Sequence, residues 1–423
     1  MRTDHFQAVL DRYQAERRLP SIVAGVLEGP GLIWTGTAGA ETTTDTQYRI
    51  GSITKAMTAV LVMQGRDDGL LDLDDKIGRF LPETGYASAT VRSLLSHTSG
   101  MQSEPVGPWW ERSPGVPVDD LLAANDGSGA VFAAGEHYHY SNLAYGLLGE
   151  LVARLRDRPW FQQVQERVLD PLGMARTSYL PQAPYAPGLS VHHLAGTLTE
   201  EPLHDTGSMA PAGQLWSTLE DLARFAAFLS GGNTEVLAER TLAEMRQPVP
   251  PALDYGLGLR LQPYADGVLA GHTGSMPGYQ SAALGNPLNG VGVVALTNAT
   301  TGFSGTELAL ALLGDHTPGR IAPWVPTSEV PGWARELLGY WHWGNSAYEV
   351  WWNLDRLEWR DLARGAVAEH FGLRHVLGAD RIVGLAGYHH GEILTVVRRD
   401  DGSVDHLECA TFVYTRDPYP EGP

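Results

Sequence analysis

Cysteine and lysine are what this chain has least of. Cys409 is the one cysteine in 423 residues, so no disulfide can close within the chain. It sits in an alternating, strand-like run and reads as a small buried apolar filler. Lysine occurs only as Lys55 and Lys76, against 28 arginines. The formal net charge is −19. Affinity for nucleic acid rests largely on Lys and Arg contacts to phosphate, so this balance argues against a nucleic-acid partner and reads as solubility. No apolar run approaches the roughly 20 residues that cross a bilayer, which argues against a membrane-spanning helix. Residues 1–20 are polar and charged, and Arg17-Arg18 is followed by no apolar stretch. A secretory or twin-arginine signal is therefore not expected, and the expected location is cytoplasmic. Internal repeats and low-complexity tracts are absent from the sequence.

What is present is an ordinary globular composition, 43% hydrophobic and 19% charged, in a length that suits a large domain with a smaller one. Residues 4–18 have the spacing of an amphipathic helix through Phe6, Val9, Leu10 and Tyr13. Two β-type runs, 21–28 and 32–37, flank Gly29-Pro30-Gly31 and predict a hairpin. Helical patterns follow over residues 52–66, 90–95 and 143–155, then from 159 to 169, with a Pro- and Gly-rich loop over 101–118 that carries Trp109-Trp110. A loop of that length inside a domain suits a binding loop. Ser217 with Glu220 reads as a capping box for a helix ending at Gly231-Gly232. Strand patterns then appear at 255–261, 268–273, 279–284 and 291–296, with a helix over 305–313. This order, hairpin, helices, meander and helix, predicts an α+β fold with an antiparallel sheet rather than a βαβ repeat. The division expected is 1–320, a linker at 321–333, and a small β-barrel-like domain at 334–423, where seven of the twelve Trp residues lie from Trp324 onward.

One stretch organises the rest: Tyr48-Arg49-Ile50-Gly51-Ser52-Ile53-Thr54-Lys55. A serine at a helix start ordinarily caps it. Here Lys55 lies three residues on, on the same helix face, within reach of the Ser52 hydroxyl. A serine becomes a nucleophile when a neighbour takes its proton, and a desolvated lysine can do so where an arginine cannot. The N–H groups at the helix start also suit a developing oxyanion. Two further stretches join it: Tyr140-Ser141-Asn142 before a helix, and His272-Thr273-Gly274 at a strand end.

In this order and at these separations, the three stretches resemble the penicillin-recognising serine hydrolases. That superfamily includes class C β-lactamases, D-Ala-D-Ala carboxypeptidases, D-aminopeptidases and β-lactamase-like esterases. The resemblance covers about residues 5–320 and includes Leu94-Leu95-Ser96-His97-Thr98-Ser99-Gly100, Pro171-Leu172-Gly173-Met174 and Gly278-Tyr279. It implies the β-lactamase/transpeptidase-like fold, with an antiparallel sheet flanked by helices. It implies Ser52 as the nucleophile that is acylated, Lys55 and Tyr140 as the proton-handling pair, and Asn142 as a partner of the substrate amide and of Lys55. It further implies an oxyanion site at the N–H groups of Ser52 and Ser275, and Gly274 as the position where a side chain would crowd the acyl group. His272 stands where β-lactamases usually hold a lysine, a departure that favours esterases, D-aminopeptidases and certain carboxypeptidases. The Trp-rich C-terminal segment from Leu338 loosely resembles lipocalin-like modules appended to members of this group.

The reading is a serine hydrolase that cleaves an ester or amide of a small peptide, a D-amino-acid derivative or a short-chain ester. β-Lactamase or D-Ala-D-Ala carboxypeptidase activity, acyl transfer or cyclisation, and a non-turnover sensor are the alternatives. His137-x-His139, His192-His193 and His389-His390 lack the acidic or third-ligand context of a zinc site, so neither metal nor cofactor is expected. The expected partner is a small-molecule or peptide substrate, and homo-oligomerisation is compatible with the sequence.

Overall fold

The computed structural model describes residues 2–265, 267–319, 321–363, 366–372 and 380–418. The outer ends of the expected domains, Met1, Arg320 and residues 419–423, lie outside the described residues. The chain forms two compact units, one of residues 1–190 and 200–324, the other of residues 191–199 and 325–423.

The first unit is built on a six-stranded antiparallel sheet. The amphipathic helix α1 (Arg2–Arg17) leads into β1 (Ser21–Glu28) and β2 (Gly31–Gly39). The meander contributes β3 (Arg260–Tyr264), β4 (Gly267–Met276), β5 (Tyr279–Gly285) and β6 (Val291–Thr297). The strand order is β2-β1-β6-β5-β4-β3, so the first hairpin closes onto the last strand, with Ile22 opposite Thr297. One face of the sheet carries α1 and α5 (Gly305–Leu313), through Leu10, Leu19, Val293 and Leu308. The other faces a larger core that includes Val23, Leu296, Ala283 and the helical layer. At the centre of that layer is α2 (Ile53–Asp67), buried continuously from Ile53 to Gly65. A helix buried all round belongs in the middle of a core, and α2 packs there against α3 (Asn142–Arg156), while α4 (Leu219–Gly231) lies on the sheet strands β5 and β6.

Two local expectations differ from the structure. Residues 255–258 form no strand, and the edge strand begins only at Arg260. At Gly258, φ is +81°, and a Cβ there would lie 2.2 Å from the Ala59 Cβ of α2, so this segment is pressed onto the helix. The cap of α4 is Thr218, whose hydroxyl accepts from Asp221 N, rather than Ser217. Ser217 is taken up in a two-residue ladder, opposite Tyr48, beside the pair Arg49 and Trp216.

The second unit is a closed barrel of β7 (Gly339–Trp343), β8 (Ser346–Asn353), β9 (Arg356–Asp361), β10 (Ala366–Gly372), β11 (Arg381–Ala386), β12 (Ile393–Arg398), β13 (Val404–Cys409) and β14 (Phe412–Thr415). Closure is made where His342 pairs Thr415. Trp341, Trp352, Trp359, Leu394 and Cys409 fill its core, which accounts for the tryptophan-rich composition. Among the described residues, no helix is long and apolar enough to cross a membrane.

Candidate active site

The turn that carries Ser52 is fixed by backbone contacts. Ile50 N donates to Leu215 O at 2.8 Å, and Ser281 Oγ donates to Ile50 O at 2.8 Å. Gly51 has φ +51°, and a Cβ on it would lie 2.6 Å from Ser275 N. Only glycine lets this turn sit directly against β4. Gly274 meets the same turn from the other side, since a Cβ there would lie 1.9 Å from Ile50 O. A side chain at Gly274 would thus meet the carbonyl of Ile50 first.

Ser52 caps α2 in position only, because its side chain makes no capping hydrogen bond. Its hydroxyl is instead 2.9 Å from Lys55 Nζ, which also donates to Ala212 O at 2.6 Å. Lys55 is fully buried. Burial pushes its pKa down to about 7; Glu104 and Glu111 oppose that shift and Arg260 adds to it. Tyr140 hydrogen-bonds the Ser52 side chain, and its ring centroid lies 5.1 Å from Lys55 Nζ. Desolvation of the Tyr140 hydroxyl raises its pKa above the ordinary phenol value, against the lowering effect of the Ser52 bond, so the phenol keeps its proton.

Asn142 opens α3 behind Ser141, which is the actual cap. The Asn142 amide donates to Glu104 Oε1 at 2.7 Å. Its expected bond to Lys55 does not occur among the described residues; the lysine amine has turned to Ala212 O instead. His272 lies on β4, buried, with Nε2 3.1 Å from Tyr255 Oη and Nδ1 2.5 Å from Thr273 O. Ser275 is exposed, one residue beyond Gly274.

Ser52, Tyr140, Asn142, His272, Gly274 and Ser275 all line one cavity of about 480 Å³, with Lys55 directly beneath the serine. The structure thus brings together every residue singled out in the three stretches. It adds three charged residues that the sequence reading did not single out: Glu104, Glu111 and Arg260. Glu104 accepts from Trp110 Nε1 at 2.6 Å as well as from Asn142, and Glu111 accepts from Trp109 Nε1 at 2.8 Å. Burial raises the pKa of Glu111 above the usual carboxylate value. Arg260 lies over the Tyr140 ring at 5.7 Å, and its buried Nε has no hydrogen-bond partner. Among the described residues, none of these three takes part in a salt bridge. The one signal for the two glutamates was the long loop over 101–118 that carries them. Among the described residues, no group of three or more His, Cys, Asp or Glu is placed to hold a metal ion.

Comparison with known proteins bears on both units. The family model described as Beta-lactamase matches residues 6–315, and one described as Domain of unknown function (DUF7586) matches residues 330–416. Penicillin-binding protein 4 of Amycolatopsis lactamdurans is 31% identical over 349 residues, covering 74% of this chain and 89% of that protein. Beta-lactamase-like protein 2 of Dictyostelium discoideum is 28% identical over 57% of this chain, which spans about half, 48%, of that relative's length. Among solved structures, a D-stereospecific amidohydrolase from Streptomyces sp. has a TM-score of 0.59 at 29% identity, over 70% of this chain and 94% of that one. An octameric penicillin-binding protein homologue from Pyrococcus abyssi shares the fold, with a TM-score of 0.64 at 23% identity over 96% of this chain and 98% of its own.

Proposed function

Because the chain belongs to the beta-lactamase family of penicillin-recognising serine hydrolases, we propose that it cleaves an amide or ester through an acyl-Ser52 intermediate. The observation that carries this is a buried amine, 2.9 Å from a serine hydroxyl, with its pKa brought to about 7. Near neutral pH a large fraction of Lys55 has a free lone pair, and the Ser52 proton can pass to it as Oγ attacks the substrate carbonyl carbon. The N–H groups of Ser52 and Ser275 receive the developing oxyanion, each such donor being worth on the order of 10²–10³ in rate. Tyr140, held as a neutral phenol, acts as a donor and relay rather than a base. The bond to the leaving group then breaks, and the leaving nitrogen or oxygen takes up the proton. Water cleaves the acyl ester and regenerates Ser52.

For the substrate, the favoured reading is a D-amino-acid amide or small peptide with a free amino group. Glu104 and Glu111 present negative charge to the cleft without a cationic partner, which suits an ammonium group, and the Streptomyces neighbour is a D-stereospecific amidohydrolase. Arg260 supports a second reading, a substrate carboxylate as in a D-Ala-D-Ala peptide or a β-lactam. His272 and Gly274 form the wall along which either substrate would lie, and Asn142 would meet its amide. The chemistry is assigned to residues 1–320, with 334–423 as an accessory lipocalin-like module. Cytoplasmic location and self-association remain part of this proposal, tested by fractionation and light scattering.

Intact mass after treatment with a fluorophosphonate or a penicillin tests the intermediate. The expected result is one adduct on the wild type and none on Ser52→Ala; an adduct that survives the substitution rejects the reading. Turnover of D-amino-acid amides, D-Ala-D-Ala peptides, short p-nitrophenyl esters and nitrocefin decides the substrate class. A burst without turnover across the panel would indicate a sensor, and products formed with added amine would indicate acyl transfer.

A further inference from the structure

The neighbours of His272 leave it one protonation state. At one end of its hydrogen-bond chain, Ser141 N donates to His97 Nδ1 at 3.0 Å. A main-chain N–H only donates, so His97 Nδ1 holds a lone pair and the proton of the neutral ring is on Nε2. That Nε2–H faces Tyr255 Oη at 3.2 Å. At the other end, His272 Nδ1 lies 2.5 Å from Thr273 O, which only accepts. His272 therefore carries its proton on Nδ1, and its Nε2 accepts from the same Tyr255 Oη at 3.1 Å. A phenol has one proton to give. It receives the His97 proton bond and gives its own to His272, so two main-chain groups set the direction of the whole chain.

The three side chains are buried, at 0%, 1% and 1% exposure for His97, Tyr255 and His272. A second proton on His272 would point at an O–H already directed towards it. Tyr255 could turn away only against the N–H of His97 or towards the hydroxyl of Tyr145, whose own proton is given to Leu95 O at 2.9 Å. The titratable and charged groups facing the pair are Lys55, Arg260, His139 and the phenols of Tyr138, Tyr140 and Tyr145. The two cations among them also oppose a charge on either imidazole.

We propose that Tyr255 is a positioning residue that locks His272 as a neutral Nδ1–H tautomer, giving the cleft an uncharged wall with neither ring nitrogen free for substrate. Burial, with Lys55 and Arg260, holds both imidazoles well below the ordinary histidine pKa, in keeping with this wiring. One consequence is kinetic: the acid limb of kcat/KM contains Lys55 and no contribution from His272.

Nitrogen-15 NMR of the imidazoles over about pH 5–8 tests the lock. In the wild type, His272 should show a protonated Nδ1 and an unprotonated Nε2, with His97 the reverse, and neither should titrate. In Tyr255→Phe, the Nε2 resonance of His272 should move towards that of an unbonded imidazole nitrogen while Nδ1 stays protonated on Thr273 O, and the acid limb of kcat/KM should hold one ionisation in both proteins. An Nε2–H tautomer at His272, its titration in the wild type, or an Nε2 resonance unmoved by Tyr255→Phe would overturn the proposal. If Tyr255→Phe does not fold, the wild-type spectra decide alone. The kinetic arm rests on the acyl-Ser52 reading and the spectra do not, so failure of one is distinguishable from failure of the other.

Discussion

The barrel and the cleft treat buried charge in opposite ways. In the barrel, Glu349 is 5% exposed and meets His193 at 2.6 Å and Arg360 at 3.7 Å. Glu358, 6% exposed, meets Arg356 at 3.0 Å and Asn353 at 2.7 Å. Each carboxylate removed from water there has a cation or an amide beside it, as the cost of desolvation requires. Around Ser52, Lys55 is wholly buried and hydrogen-bonds a hydroxyl and a carbonyl beside two aromatic faces, and among the described residues neither it nor Glu111 nor Arg260 takes part in a salt bridge. Paired charges hold a shape. On the proposed function, the unpaired ones keep their reactivity for a substrate, at the expense of stability.

Breaking the cleft at its centre gives the largest effect. Ser52→Ala should abolish both probe labelling and turnover, read by intact mass and a chromogenic ester. Lys55→Ala should slow acylation by about 10²–10⁴, the loss expected for a general base; stopped-flow single turnovers measure it. In the wild type, kcat/KM should fall as pH drops below about 7, because protonated Lys55 cannot accept the Ser52 proton. The same group sharpens the contrast in stability. Its folded pKa, about 7, lies below the unfolded 10.5. The unfolded chain therefore binds more protons between these values, and stability rises with pH across that window. Lys55→Met should accordingly be inactive yet more stable than the wild type at pH 6, by an amount on the order of 1 kcal/mol or more; chemical denaturation at two pH values tests this.

Smaller effects separate the unpaired charges from one another. Glu104→Gln should raise KM about three- to tenfold for D-amino-acid amides and leave carboxylate substrates unaffected, with Arg260→Gln giving the reverse. Equal losses on both substrate classes would remove the proposed division of labour. On the paired side, Glu349→Gln should lower barrel stability by about 1 kcal/mol and leave ester turnover unchanged, read by calorimetry and initial rates.

How much of this was legible in the sequence depends on the reach of each interaction. Ser52 and Lys55 are three residues apart on one helix, so their meeting could be read directly. The strands at 268–273, 279–284 and 291–296 are short, mostly apolar runs bounded by Gly, Pro and Asn, which places them within a few residues. Tyr140 and His272 entered through their motifs, since nothing local says that residues more than 130 positions apart share a wall. Glu104, Glu111 and Arg260 belong to no such pattern. They reach the cavity from an irregular loop and from an edge strand whose start was misplaced by the unusual turn at Gly258. His97 stood within a quoted segment, but its role depends on Tyr255, 158 residues away. Ser217 misled because its local capping signal lost to pairing with Tyr48.

At Gly51 and Gly274 the reacting centre is assembled from main chain against main chain, with no room for even a methyl group between. Glu104, Glu111 and Arg260 reach the same space through side chains alone. On the acyl-Ser52 proposal, reactivity and selectivity would thus be written in different parts of the polypeptide and could be altered separately. A library confined to positions 104, 111 and 260 offers a way to redirect the enzyme to new substrates, while any change at 51 or 274 would dismantle the machinery those substrates need.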